Sequence, residues 1–107
     1  MKHGPIALVD DDTPVIMLVP KDRHYDKVIS NLEEIRARDG IIIAIGAEEN
    51  KRLPELATSV ISIPQRSENV MPILFAIPVQ LIAYYIALKK GTDVDQPRNL
   101  AKSVTVE

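Results

Sequence analysis

The sequence predicts an α/β domain organised around a short parallel β-sheet. Residues 15–19 and 41–46 are continuous apolar runs, which suit strands covered on both faces. Between them Tyr25, Val28, Ile29, Leu32 and Ile35 recur at three- and four-residue steps, the spacing of a helix with one apolar stripe. A helix between two such strands is the βαβ pattern, whose crossover is right-handed.

The elements follow in chain order. Residues 4–9 fit either a short helix with Pro5 at its first position or an extended lead-in. Asp10, Asp11 and Asp12 before Thr13-Pro14 form a turn, read as a solvated loop. The first strand, 15–19, is closed by Pro20. Asp22 is placed to cap the following helix, Glu34 and Arg38 sit four apart on its polar side, and Gly40 is expected to end it. Residues 41–46 form the second strand. The polar stretch 48–58, interrupted by Pro54, reads as a loop with a helical turn. Residues 59–64 form a third strand, shorter and partly alternating, which suits a place nearer the sheet edge.

Ser67 or Asn69 is a candidate N-cap for the last helix. Pro72 is tolerated near its start, whereas Pro78 is expected to kink or split it. Apolar residues all round 79–88 predict burial on more than one side. Gly91 is the natural residue to stop this helix, and an irregular tail follows it. About three strands with flanking helices leave the sheet incomplete. The domain therefore either borrows elements from a second copy or is a piece of something longer.

Length and composition narrow the function classes. A chain of 107 residues holds one domain, and its 46% hydrophobic content with only 4% aromatic makes the core aliphatic. Thirteen basic and 15 acidic residues give a net charge of −2 and a pI near 5.7. That balance argues against nucleic acid or an anionic membrane as a partner, since both require a basic face. Residues 71–88 carry no charge and approach the length of a membrane span, but Pro72 and Pro78 interrupt them. With no secretory leader pattern behind Met1, a cytoplasmic location is expected.

The absence of Cys removes disulfides, thiolate metal sites and a cysteine nucleophile, and two histidines leave little to build a zinc site from. No metal and no cofactor are expected. The four glycines, at 4, 40, 46 and 91, never cluster into a phosphate-cradling loop, and the serines are scattered. His24 reads as an exposed surface residue. His3 has the titration range of a proton-transfer group, and Lys102 is the amine of the tail able to form a Schiff base once neutral, with Arg98 nearby to favour that state. On residue pattern alone, both are ordinary terminal side chains.

A resemblance adds to this reading. The tail Gly91-Thr92-Asp93-Val94-Asp95-Gln96-Pro97-Arg98-Asn99-Leu100-Ala101-Lys102-Ser103-Val104-Thr105-Val106-Glu107 resembles the C-terminus of the glucosamine-6-phosphate synthases, the isomerising glutamine–fructose-6-phosphate aminotransferases. Lys2-His3-Gly4-Pro5-Ile6-Ala7-Leu8 is similar to the motif leading into the last half of that family's second sugar isomerase (SIS) domain. Gln80-Leu81-Ile82-Ala83-Tyr84 is similar to the helix before the tail. The resemblance implies a partial three-layer, SIS-type (flavodoxin-like) fold, with residues 1–90 as the C-terminal half of a SIS domain and 91–107 as a catalytic tail.

It also implies roles. Lys102 would form the Schiff base with the open-chain ketose, and His3, supplied across a subunit interface, would help open the sugar ring. The main chain around Arg98, Leu100 and Ala101 would lie against the sugar. Fructose 6-phosphate and glucosamine 6-phosphate are the implied ligands, and a homo-oligomer (dimer) or association with the missing N-terminal part is the implied assembly. The family's glutaminase cysteine, its Ser/Thr-rich phosphate loop and its proton-moving glutamate have no counterpart here, so the isolated chain is expected to be inactive. The alternatives are a non-catalytic SIS-type module that binds a phosphosugar or regulates, and a structural fragment that dimerises to complete its sheet.

Overall fold

The computed structural model describes residues 4–96. The chain divides into two compact units, Met1–Phe75 and Ala76–Glu107, with the division inside the last helix.

The first unit opens with a single 3₁₀ turn, Pro5–Leu8, so the helical option for this stretch is the one adopted. Pro5 stands where its missing N–H costs nothing, and Ile6 is buried. The aspartate turn follows. The Thr13 hydroxyl donates to Asp10 Oδ1, and the Asp12 N–H donates to the same oxygen at 3.2 Å.

Three strands, β1 (Pro14–Val19), β2 (Ile41–Ala47) and β3 (Ser59–Ile63), form one parallel sheet in the order β1-β2-β3. Residue pairs Val15–Ile42, Met17–Ala44 and Val19–Gly46 lie side by side, and Ala44 continues the row to Val60. Alternation along each strand puts these residues on one face. Helix α1 (Tyr25–Arg36) covers that face with Ile29, Leu32 and Ile35, and Ile6 and Leu53 close the cluster. Leu53 begins a one-turn helix, α2 (Leu53–Leu56), with Pro54 in its first turn, which is the helical turn expected within 48–58. A Cβ on Gly46 would run into Leu53 Cδ1, so the absent side chain is what lets α2 sit against β2.

The opposite face contradicts one expectation. The apolar run 15–19 predicts burial on both faces, yet β1 alternates, with Ile16 41% and Leu18 43% exposed. A continuous apolar run reports that both faces need cover; the covering chain need not lie in the same 107 residues.

The ends of α1 also differ in detail. Asp22 acts two residues ahead of the N-cap position, its carboxylate accepting the His24 N–H at 2.7 Å, and His24 at that position makes no side-chain cap. At the other end the Asp39 N–H bonds the Arg36 carbonyl, and the Gly40 N–H reaches Ile35. This is the Schellman pattern with Asp39, at φ 58°, as the left-handed residue. Gly40, expected to be that residue, instead makes room: a Cβ there would lie 2.6 Å from Val9 Cγ1 and 2.9 Å from Ile35 Cγ2. Arg38 donates to the Glu34 backbone carbonyl at 2.8 Å.

The last helix, α3 (Met71–Lys89), begins in the first unit, where Met71 and Phe75 are buried and the Ser67 carbonyl accepts the Val70 and Met71 N–H groups. Pro78 does not split it. The helix loses one backbone bond there and remains continuous. In the second unit Ile77, Leu81, Tyr85, Ile86 and Leu88 are exposed, so among the described residues the burial on several sides predicted for 79–88 is not met. By length and composition alone, α3 is able to cross a membrane. It ends as the sequence predicts: Gly91, at φ 68°, donates to Leu88 O while Thr92 donates to Ala87 O, a second Schellman pattern.

Candidate functional site

Parallel strands send their carboxyl ends to one edge of the sheet, and the loops that leave this edge are where α/β folds place ligands. Here those loops are 20–24 after β1, 48–52 after β2 and 64–70 after β3. The first and third line a cavity of about 460 Å³. Lys21, Asp22, Arg23, His24 and Glu68 are among its lining residues, together with the buried Met71 and Phe75.

Several polar groups of these loops are engaged with near neighbours. Arg23 Nε donates to His24 Nε2 at 3.0 Å, and Asp22 holds the His24 N–H. Gln65 Nε2 donates to the Arg66 carbonyl at 3.1 Å, which leaves Gln65 Oε1 buried without a partner. In the loop after β2, the Tyr25 hydroxyl donates to Asn50 Oδ1, which also accepts the Arg52 N–H. Asn50 Nδ2 is likewise buried without a partner. Arg52 reaches Glu33 at 3.3 Å across the surface, an exposed pair worth little to stability.

Chemically this edge can hold a polar molecule weakly, and it contains no group prepared for covalent work. Among the described residues no charged or polar residue is buried as a whole, although single side-chain atoms such as Gln65 Oε1 and Asn50 Nδ2 are. Two carboxylates titrate below their ordinary range, and both stand in solvent-exposed turns. Asp10 is held down chiefly by the Thr13 hydroxyl, and Asp93 by the N–H groups of Asp95 and Gln96. Among the described residues no group of three or more potential metal ligands comes together, Asp10 to Asp12 included.

His3, Arg98, Leu100, Ala101 and Lys102 all fall outside the described residues. His24 is exposed, as its setting among polar residues predicts. Lys21, Arg23 and Gln65 were not singled out from sequence. Their signal was positional, since they follow strands 15–19 and 59–64 directly.

Comparison with known proteins supplies the family. The family model described as SIS domain matches residues 1–90, which takes in the whole of α3. Over all 107 residues the chain is 54% identical to the isomerising glutamine–fructose-6-phosphate aminotransferase of Aquifex aeolicus and 53% identical to that of Chlorobaculum tepidum. It spans only 18% and 17% of those two proteins, respectively. The solved C-terminal domain of glucosamine-fructose-6-phosphate aminotransferase from Francisella tularensis matches 89% of this chain, with a TM-score of 0.82 and 42% identity. This chain accounts for 27% of that one. A three-stranded parallel sheet with flanking helices agrees with that structure, and the chain belongs to the SIS domain family.

Proposed function

We propose that this chain is the C-terminal portion of the sugar-phosphate domain of an enzyme that makes glucosamine 6-phosphate and glutamate from fructose 6-phosphate and glutamine. Residues 1–90 are the latter half of its SIS domain, and 91–107 are a catalytic tail. The observation that carries this reading is the extent of the likeness. Identity above 50% to aminotransferases runs through all 107 residues, so the tail with Lys102 lies inside the match.

In this reading the Lys102 amine attacks the carbonyl of open-chain fructose 6-phosphate, and loss of water gives a Schiff base. The amine must be neutral for that step, which closure of the tail over the sugar favours by excluding water, as does the Arg98 charge. His3, reaching in from a neighbouring subunit, moves the proton that opens the ring. The main chain at Arg98, Leu100 and Ala101 lies along the sugar. No cofactor is involved, the assembly is a dimer or a complex with the rest of the enzyme, and the setting is the cytoplasm without nucleic acid or membrane. In this reading the chain by itself is inactive, because its sequence has no counterpart of the family's glutaminase cysteine, Ser/Thr-rich phosphate loop and proton-moving glutamate.

Borohydride trapping tests the assignment. The chain is incubated with fructose 6-phosphate, reduced and analysed by mass spectrometry, alone and together with the remaining portion of the Aquifex enzyme. The expected result is a reduced sugar adduct at Lys102 only in the mixture, abolished by Lys102→Arg. No adduct in either condition removes Lys102 from the chemistry.

A further inference from the structure

The chain beyond α3 is tied down further than a helix stop requires. The Schellman pattern is complete with two bonds, Gly91 N–H to Leu88 O and Thr92 N–H to Ala87 O, both 3.0 Å. Three more follow. The Thr92 hydroxyl donates to the same Ala87 carbonyl at 3.0 Å, and Asp93 Oδ1 accepts the N–H groups of Asp95 at 2.9 Å and Gln96 at 3.0 Å. The last two make an Asx turn, which folds the backbone just past the helix. Those two N–H groups also hold the Asp93 carboxyl below its ordinary range, so it is ionised and a strong acceptor at neutral pH.

The three extra bonds are not needed for satisfaction. Thr92, Asp93, Asp95 and Gln96 are exposed, and water serves exposed polar groups at a helix end as well. Their effect is geometric. From Gln96 to Lys102 is six positions, so the Lys102 Cα stays within about 20 Å of Gln96. From Lys90, whose N–H still bonds Ile86 O, it is twelve positions and about 40 Å. The concentration of a tethered group at its target falls roughly as the −3/2 power of tether length, so halving the tether raises it about threefold.

We infer that Thr92 and Asp93 form an elbow that fixes the start of the tail to α3, with Asp93 a positioning residue for the Lys102 amine. Asp93 acts on the chemistry only through the backbone it holds, by shortening the tether on which the amine reaches the sugar carbonyl. The bonds across residues 87–96 carry the geometry of this inference, and the Schiff-base reading of Lys102 gives it its use. A helix cap with no further task would need no order at Asp95 and Gln96.

Two measurements test it. In the dilute 107-residue chain, backbone amide order parameters at Asp95 and Gln96 should stay near about 0.85 and fall below about 0.6 in Asp93→Ala. They should return in Asp93→Asn, whose amide oxygen accepts the same two bonds. Far-UV circular dichroism controls for α3, which keeps its Schellman pattern in all three. Borohydride trapping, run with the remaining portion of the Aquifex enzyme, reads the consequence. Thr92→Val with Asp93→Ala should be trapped at Lys102 about threefold more slowly at saturating fructose 6-phosphate, with the half-saturating concentration unchanged. Three outcomes overturn the proposal: order parameters already below about 0.6 in the parent, an Asn variant as mobile as the Ala variant, or equal trapping of parent and double variant. No adduct from the parent counts against the Schiff-base reading, and the order parameters then decide the elbow by themselves.

Discussion

Helix α1 keeps its apolar residues on one stripe and buries them, whereas α3 is apolar all round and leaves most of its side chains at the surface of this chain. The contrast is one of supply. The stripe on α1 faces a sheet that the same 107 residues provide, with Leu32 and Ile35 fully buried. A helix with no polar side asks for neighbours on several sides, as in the interior of a larger domain. Sequence patterning thus records the cover an element calls for, and the described residues meet that need for α1 and not for α3.

The widest difference between the helices should appear in core truncation. Leu32→Ala removes a side chain with no exposed surface and should cost about 2–5 kcal/mol in urea unfolding of the isolated chain. Leu81→Ala removes one that is 50% exposed and should cost less than about 1 kcal/mol under the same conditions. Equal costs would mean that α3 is packed as firmly as α1, and the comparison would fail.

A smaller effect is expected at the helix ends, which share one hydrogen-bond pattern with different residues in the left-handed position. Asp39→Gly relieves a side chain at φ 58° and should stabilise the chain by up to about 1 kcal/mol, less the backbone entropy that glycine adds. Gly91→Ala puts a Cβ at φ 68° and should reduce the helicity of α3, with a cost near 1 kcal/mol confined to that end. A gain at Gly91 or a large loss at Asp39 would show that the two ends are not equivalent.

Much of the fold was legible from the residues. The three strands, α1 and the turn around Pro54 follow from periodicity and from where proline falls, because those signals are local. The errors share a physical origin. Residues 15–19 reported cover on both faces that only one face receives here. Gly40 drew the helix end to itself because glycine tolerates positive φ, although Asp39 takes that conformation and Gly40 serves as a gap for Val9 and Ile35. Pro78 removes one backbone bond, and a nineteen-residue helix absorbs one such loss without splitting. The proposed site was legible in another way altogether. His3 and Lys102 carry no local pattern that separates them from ordinary terminal residues, so they came from resemblance alone.

Amide hydrogen exchange of the dilute monomeric chain tests the central claim, that α1 has its cover within these residues and α3 does not. The amides of α1 and β2 are expected to exchange last, and those of 79–88 earlier by orders of magnitude, gaining protection when the rest of the C-terminal domain is added. Protection of 79–88 equal to that of α1 in the monomer alone would contradict the account.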